Sequence, residues 1–160
     1  MKSFTILGQM KVTIFVLLTF FGLSAYAAFA QSPVKLKGEG TIDFSTEGPS
    51  SFAFSGTASH LGQYRCHGEI VLNSHDGAMD GVGGVAVFEA ANGDLLVGIV
   101  ALTTDADGIG QIRFSWRDSV RFSNGTTVYS TGRFVSSRPP GAVSTIKAQP
   151  GNGIIAILIG

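Results

Sequence analysis

The residues best suited to chemistry are concentrated between positions 60 and 69. This stretch, HLGQYRCHGE, contains two of the three histidines, the only cysteine, an arginine and a glutamate. A cysteine and a nearby histidine could serve as nucleophile and base, and histidine, cysteine and glutamate are also common metal ligands. Either kind of site requires that these side chains point to the same place.

The alternation of residue types separates the cysteine from its neighbouring histidine. From Tyr64 onward every second residue is apolar or small, which predicts a β-strand with one dry and one wet face. Cys66 then points into the core and His67 points outward, so the two cannot cooperate as nucleophile and base. The outward row of Arg65, His67 and Glu69 is either a polar binding strip or, more simply, a solvated face with weak cross-strand pairs.

The other two histidines are interpreted as parts of turns. His60 is expected to hold a hairpin together through its ring nitrogens. His75 lies close to Asp76 and Asp80, but neither a zinc-ligand spacing nor a complete calcium-binding loop is present. We therefore predict no metal site and no cofactor.

Asp118 is the most interesting single residue as a site candidate. In QIRFSWRDSVRF (111–122) an unbroken alternation would place Asp118 on the apolar face, between Trp116 and Val120. A carboxylate buried there needs a partner or has a raised pKa, which is typical of functional sites. The alternative is a bend at residues 117–119 that turns the side chain outward.

Glu89 poses the same question, because it shares a face with Val85 and Val87. Two acids lining one cavity beside inward aromatic rings would form a ligand pocket. Five residues are therefore candidate ligand-binding residues, and none is predicted to be catalytic: Asp118, Glu89, Tyr64, Trp116 and Phe114.

The elements that must position these side chains are β-strands. Most of the 22 glycines follow residue 31 and interrupt the windows that a helix would need. The remaining pattern predicts an all-β domain, either a sandwich or a closed antiparallel barrel, and the glycines inside the strands favour closure. Nine strands are predicted: 36–44, 51–58, 63–73, 84–91, 95–104, 111–122, 126–136, 142–148 and 153–159.

Three further segments have distinct patterns. DLLVGIVALTT (94–104) is apolar on both faces, which predicts a central strand covered on each side. GIIAILIG (153–160) predicts a last strand that is paired along both edges and closes the barrel. NSHDGAMDGVGG (73–84), in contrast, predicts a long loop.

The first thirty residues predict a secretory signal peptide. Lys2 and Lys11 precede an apolar run from Val12 to Leu23, and small-residue cleavage sites follow at 25–27 and 28–30. An uncleaved anchor is the competing interpretation, but the run is short for a bilayer span. We place cleavage after Ala30, which leaves residues 31–160 as one secreted or periplasmic domain without a membrane span.

Charge and cysteine content narrow the partners of this domain. With two of the 11 basic residues in the signal, a small net negative charge remains and no block of like charge appears. This argues against nucleic-acid binding, which depends on clustered lysine and arginine. A single cysteine also allows no disulfide within the chain.

Three sequence segments resemble those of a known family. FSGTASHLGQYRCHGEI, FEAANGDLLVGIV and FSNGTTVYSTGRF together resemble secreted bacterial proteins of the allene oxide cyclase-like and dirigent-like type. The resemblance implies an eight-stranded barrel of the calycin type, often with an apolar cavity. It rests on turns that determine the fold, and it carries over no catalytic residue.

Three functions follow from these predictions. The barrel could bind a small apolar ligand in its interior, or it could be a structural or interaction module of the cell envelope that acts through its loops. The alternative is a cyclase or isomerase, which would hold a reactive intermediate in a dry cavity with Asp118 and Glu89 as its polar groups.

Overall fold

The computed structural model describes residues 33–135 and 139–160. These residues form eleven β-strands and one 3-10 turn, Gly132–Phe134. The predicted signal peptide, residues 1–30, lies outside the described residues. The strands are β1 (Leu36–Asp43), β2 (Ser50–Ala58), β3 (Gly62–Ile70), β4 (Leu72–His75), β5 (Ala78–Ala90), β6 (Leu95–Thr104), β7 (Ile109–Arg117), β8 (Ser119–Arg121), β9 (Thr127–Tyr129), β10 (Ala142–Pro150) and β11 (Ile154–Ile159).

Eight of the strands close into an antiparallel barrel, which confirms the predicted fold class. Their order around the barrel is β1, β2, β3, β5, β6, β7, β10 and β11, and β11 pairs with β1 to complete the circle. β4 pairs with the first residues of β5, which precede the part of β5 that pairs with β3. β8 pairs only with β9 among the described strands. As predicted, β11 is paired along both edges.

Aromatic rings in the interior pack on inward-facing glycines of the adjacent strand. Gly68 lies opposite Phe52, and Gly98 lies opposite Trp116. A Cβ atom at either glycine would lie 2.3 Å from the Phe52 ring or 2.9 Å from the Trp116 ring. The glycines let the strands curve closely, and the rings fill the space that the missing side chains leave.

Phe88 lies at the centre of an aromatic cluster in the interior. Its ring centroid is 4.9 Å from that of Phe114, 5.3 Å from that of Trp116 and 5.2 Å from that of Tyr64. These rings belong to one continuous cluster of buried side chains that also includes the inward isoleucines of β11. Contacting side chains therefore occupy this part of the barrel interior.

A second, smaller core lies on the outer face of β5 and β6. Val87 and Val97 point away from the interior and are covered by Val120 and its neighbours in the β8–β9 hairpin (residues 119–129). The Ser130 hydroxyl accepts a hydrogen bond from the Val97 N–H at 3.1 Å and donates one to the Arg117 carbonyl at 2.9 Å. Strand β6 is thus covered on both faces, as its sequence predicts.

The prediction of a long loop over 73–84 was wrong. β4 and β5 form a hairpin there, with a tight turn at Asp76 and Gly77 whose φ angles are 52° and 86°. The register of β5 against β6 then shifts between Gly81 and Gly84. The glycines that suggested a loop instead permit the turn and the bulge.

The predicted strand over 126–136 is shorter than expected. β9 ends at Tyr129, and Gly132 adopts a left-handed φ of 63° at the start of the 3-10 turn. A Cβ atom there would lie 2.1 Å from the Asp94 carboxylate, which would have to move, and the left-handed φ itself favours glycine. The turn places Phe134 among the buried interior side chains.

Candidate functional site

The structure separates the five candidate residues into two groups. Tyr64, Phe114 and Trp116 face the interior and are at most 5% exposed. Asp118 and Glu89 are exposed on the outside. The hypothesis that both acids line a cavity with the aromatic rings is therefore wrong.

Asp118 is exposed because β7 ends one residue before it. The last pair between β6 and β7 is Val97 with Arg117. The chain then bends, and the Asp118 carbonyl accepts a hydrogen bond from the Ser130 N–H at 2.8 Å. The bend at residues 117–119 thus replaces the unbroken alternation that would have buried the carboxylate.

Glu89 does share a face with Val85 and Val87, as predicted, but that face is the outer wall of the barrel. The two valines are buried because the β8–β9 hairpin covers them. Glu89 lies further along β5 and is exposed, opposite Arg65 of β3. Its carboxylate is thus available to an external partner.

A polar groove of about 580 Å³ lies on the outer wall across β2, β3 and β5. Arg65 and Glu89 give it one cationic and one anionic group, and hydroxyl and amide groups add hydrogen-bond donors and acceptors. We call this region the outer groove and define it by its exposed polar residues: Ser55, Thr57, Gln63, Arg65 and Glu89.

The described part of the interior contains one unsatisfied donor. Among the described residues, Trp116 Nε1 is the only buried side-chain nitrogen or oxygen without a hydrogen-bond partner. Phe114 stacks parallel to the indole at 5.8 Å, and Phe88 meets it edge-on at 5.3 Å. A buried N–H without an acceptor costs about 1–3 kcal/mol, so this position favours an additional acceptor.

Burial keeps Tyr64 and Cys66 protonated. Removal from water raises the pKa of Tyr64 to about 12, with a further contribution from Cys66. The same effect raises the pKa of the Cys66 thiol well above its usual value. Because the thiolate is the reactive form, Cys66 is an inert core residue, as the strand alternation predicted.

Two residues of the outward row Arg65, His67 and Glu69 attach the β8–β9 hairpin. Glu69 accepts hydrogen bonds from the backbone N–H and the hydroxyl of Ser123, the latter at 2.7 Å. The His67 ring lies nearly parallel to the Phe122 ring at 6.1 Å. The sequence does not reveal this role, because the partner residues lie more than fifty positions further along the chain.

Of the remaining histidines, His60 lies in an exposed turn and His75 is the exposed last residue of β4. His60 adopts a left-handed φ of 76° between β2 and β3, and its role in holding the hairpin stays a prediction. His75 Nε2 lies 3.9 Å from Asp80 Oδ1, with both side chains well exposed. Residues 33–135 and 139–160 contain no group of three or more potential metal ligands.

Comparison with protein-family models, with curated proteins and with solved structures found no match. Within the described part of the chain, no helix is long and apolar enough to cross a membrane.

Proposed function

We propose that the protein is an exported binding domain that contacts its partner through the outer groove. The observation that carries this proposal is the placement of charge. Arg65 and Glu89 lie opposite each other on adjacent strands, exposed on the outer wall. The candidate residues that face inward are aromatic, and burial keeps the Tyr64 phenol neutral.

The packing of the interior supports an external site. The rings around Phe88 contact one another and belong to one continuous buried cluster. An interior ligand would have to displace some of these contacts, whereas the outer groove is open to solvent. An exposed groove with mixed donors and acceptors suits a polar partner, and paired charges of opposite sign favour specificity.

The chemistry of the groove supports one kind of partner. Side chains directly opposite on adjacent strands have Cβ atoms about 5 Å apart, so Arg65 and Glu89 present their charges side by side. A partner that fits carries a carboxylate for the guanidinium and an ammonium group for the Glu89 carboxylate, close together. A peptide segment with adjacent lysine and glutamate has this arrangement.

The test is an NMR titration with short peptides that carry one Lys and one Glu. Amide shifts at Ser55, Gln63 and Ala91 are expected with these peptides and not with matched peptides in which Gln replaces both charged residues. Arg65→Glu and Glu89→Lys should each abolish the shifts. The proposal fails if the groove amides do not respond, or if the uncharged peptides bind equally well.

The buried indole N–H favours a second candidate, a small apolar ligand with one acceptor oxygen inside the barrel. Trp116 is the only tryptophan in the chain, so its indole N–H signal reports this site directly. Cyclohexanone is a suitable probe, and methylcyclohexane is its control without an acceptor. A shift of the indole signal with the ketone alone supports this candidate, and an unchanged signal rejects it.

The cyclase or isomerase alternative required Asp118 and Glu89 in a dry cavity. Both carboxylates are exposed on the outside, so no observation favours this activity. Membership of the allene oxide cyclase-like and dirigent-like group stays a prediction.

A further inference from the structure

We propose that two copies of this chain associate through the outer face of β11. The centre of this surface is the outward row of Ile154, Ala156 and Leu158. Glu39 of β1 and Lys147 of β10 flank the row on opposite sides. These five residues are called the β11 face.

The β11 face is an apolar strip that the described chain leaves uncovered. Ile154 and Leu158 are 53% and 57% exposed, and Ala156 between them is also exposed. The apolar outer surface of β5 and β6, in contrast, is covered by the β8–β9 hairpin. Exposed apolar strips bordered by charge are typical of protein–protein contacts.

The charges beside the strip indicate the partner. Glu39, Leu158 and Lys147 form one line across β1, β11 and β10 in the strand registers. Both charged side chains are exposed, and neither forms an ion pair with another described residue. The apolar strip thus has an unpaired anion on one side and an unpaired cation on the other.

A second copy complements this arrangement. A two-fold axis parallel to β11 brings the two faces together and exchanges their left and right sides. Glu39 of each copy then faces Lys147 of the other, and Leu158 meets Leu158, as an isologous contact requires. A two-fold axis across the strands would instead bring the β1 edges together, with Glu39 near Asp43 of the other copy, and like charges would repel.

The shape of the barrel sets the strength of this contact. Aligned sheets pack face to face at about 10 Å, but two curved outer walls touch over only a few strands. The buried area is therefore smaller than the roughly 800 Å² per partner of a standard interface. We expect a reversible dimer that dissociates on dilution.

Sedimentation velocity of the full chain over a wide concentration range tests the proposal. The wild type should shift from monomer to dimer as concentration rises, and Leu158→Lys should remain monomeric. Glu39→Lys and Lys147→Glu should each weaken association, because like charges then face each other twice. Glu47→Lys, in the exposed loop after β1, makes the same charge change as Glu39→Lys and should leave association unchanged.

Mixing the two charge-reversal variants separates the interface from any effect within one copy. In a mixed dimer, Glu39 of one copy meets Lys147 of the other, and the introduced lysine meets the introduced glutamate. The mixture should therefore dimerise when neither variant does alone. A wild type that stays monomeric at every concentration, a Leu158→Lys variant that still dimerises, or a mixture that stays monomeric would each overturn the proposal.

Discussion

Gly68 is a position at which one added methyl group should destabilise the barrel, because both a ring and a backbone atom lie in its way. It lies in β3, opposite Phe52 of β2 and Ala86 of β5. A Cβ atom there would lie 2.3 Å from Phe52 Cζ and 2.0 Å from the Val85 carbonyl oxygen. Ordinary contact begins at 3.4 Å, so the ring and the neighbouring backbone must each move by about 1 Å or more.

The size of the effect follows from these two contacts. Overpacking a closely packed core costs about 1–3 kcal/mol, and more when the backbone must shift. Alanine also reduces the conformational freedom of the unfolded chain, which offsets about 0.4–1 kcal/mol. We expect Gly68→Ala to lower the free energy of unfolding by about 2 kcal/mol and Tm by roughly 8 °C, measured by urea and thermal unfolding.

Two comparisons make this prediction specific. Gly48 has open space around its missing side chain, so Gly48→Ala should change stability by less than about 0.5 kcal/mol. Phe52→Leu combined with Gly68→Ala should cost less than the sum of the single changes, because the shorter side chain relieves one contact. A Gly68→Ala protein as stable as the wild type, or a Gly48→Ala protein equally damaged, would refute the reasoning.

Three further predictions concern single side chains. Tyr64 should titrate at about pH 12 by phenolate absorbance. Because the folded protein keeps a proton that the unfolded chain loses near pH 10, the free energy of unfolding should fall between these values; constant stability there would contradict the prediction. Cys66 should react with a thiol reagent only on unfolding, since burial raises its pKa; rapid labelling of folded protein would show an accessible thiol. Glu69→Gln should lower the free energy of unfolding by about 1 kcal/mol and speed amide exchange in the β8–β9 hairpin. If amide exchange in the hairpin is no faster than in a Glu47→Gln control, Glu69 does not anchor the hairpin.

Local alternation was sufficient to predict which side of a strand a residue faces. It placed Cys66 in the core and His67 outside, and it predicted that both faces of β6 are buried. These predictions succeed because neighbouring residues on a strand point to opposite faces whatever the strand pairs with. The same rule placed Glu89 beside Val85 and Val87 correctly, but it could not say that their shared face is the outer wall.

Asp118 shows where alternation fails. Trp116 and Val120 are both buried, so the spacing of the apolar residues in the sequence gives no sign of the bend, although Asp118 between them is exposed. Trp116 belongs to the interior cluster, however, whereas Val120 belongs to the small core beneath the hairpin. One alternating pattern therefore covers two strands buried against different surfaces, and where β7 ends depends on pairing with β6, which a single sequence does not reveal.

The pairing of β1 with β11 affects the order in which the barrel can form. Gly38 lies opposite Ile159, so residues from opposite ends of the described chain must meet before the sheet closes. Bringing such distant segments together costs conformational entropy, because a long loop must close, and this cost slows folding. During synthesis, the ring of strands cannot close until β11 has left the ribosome. If the chain is exported as predicted, this delay would keep it open for translocation, and closure would follow on the far side of the membrane.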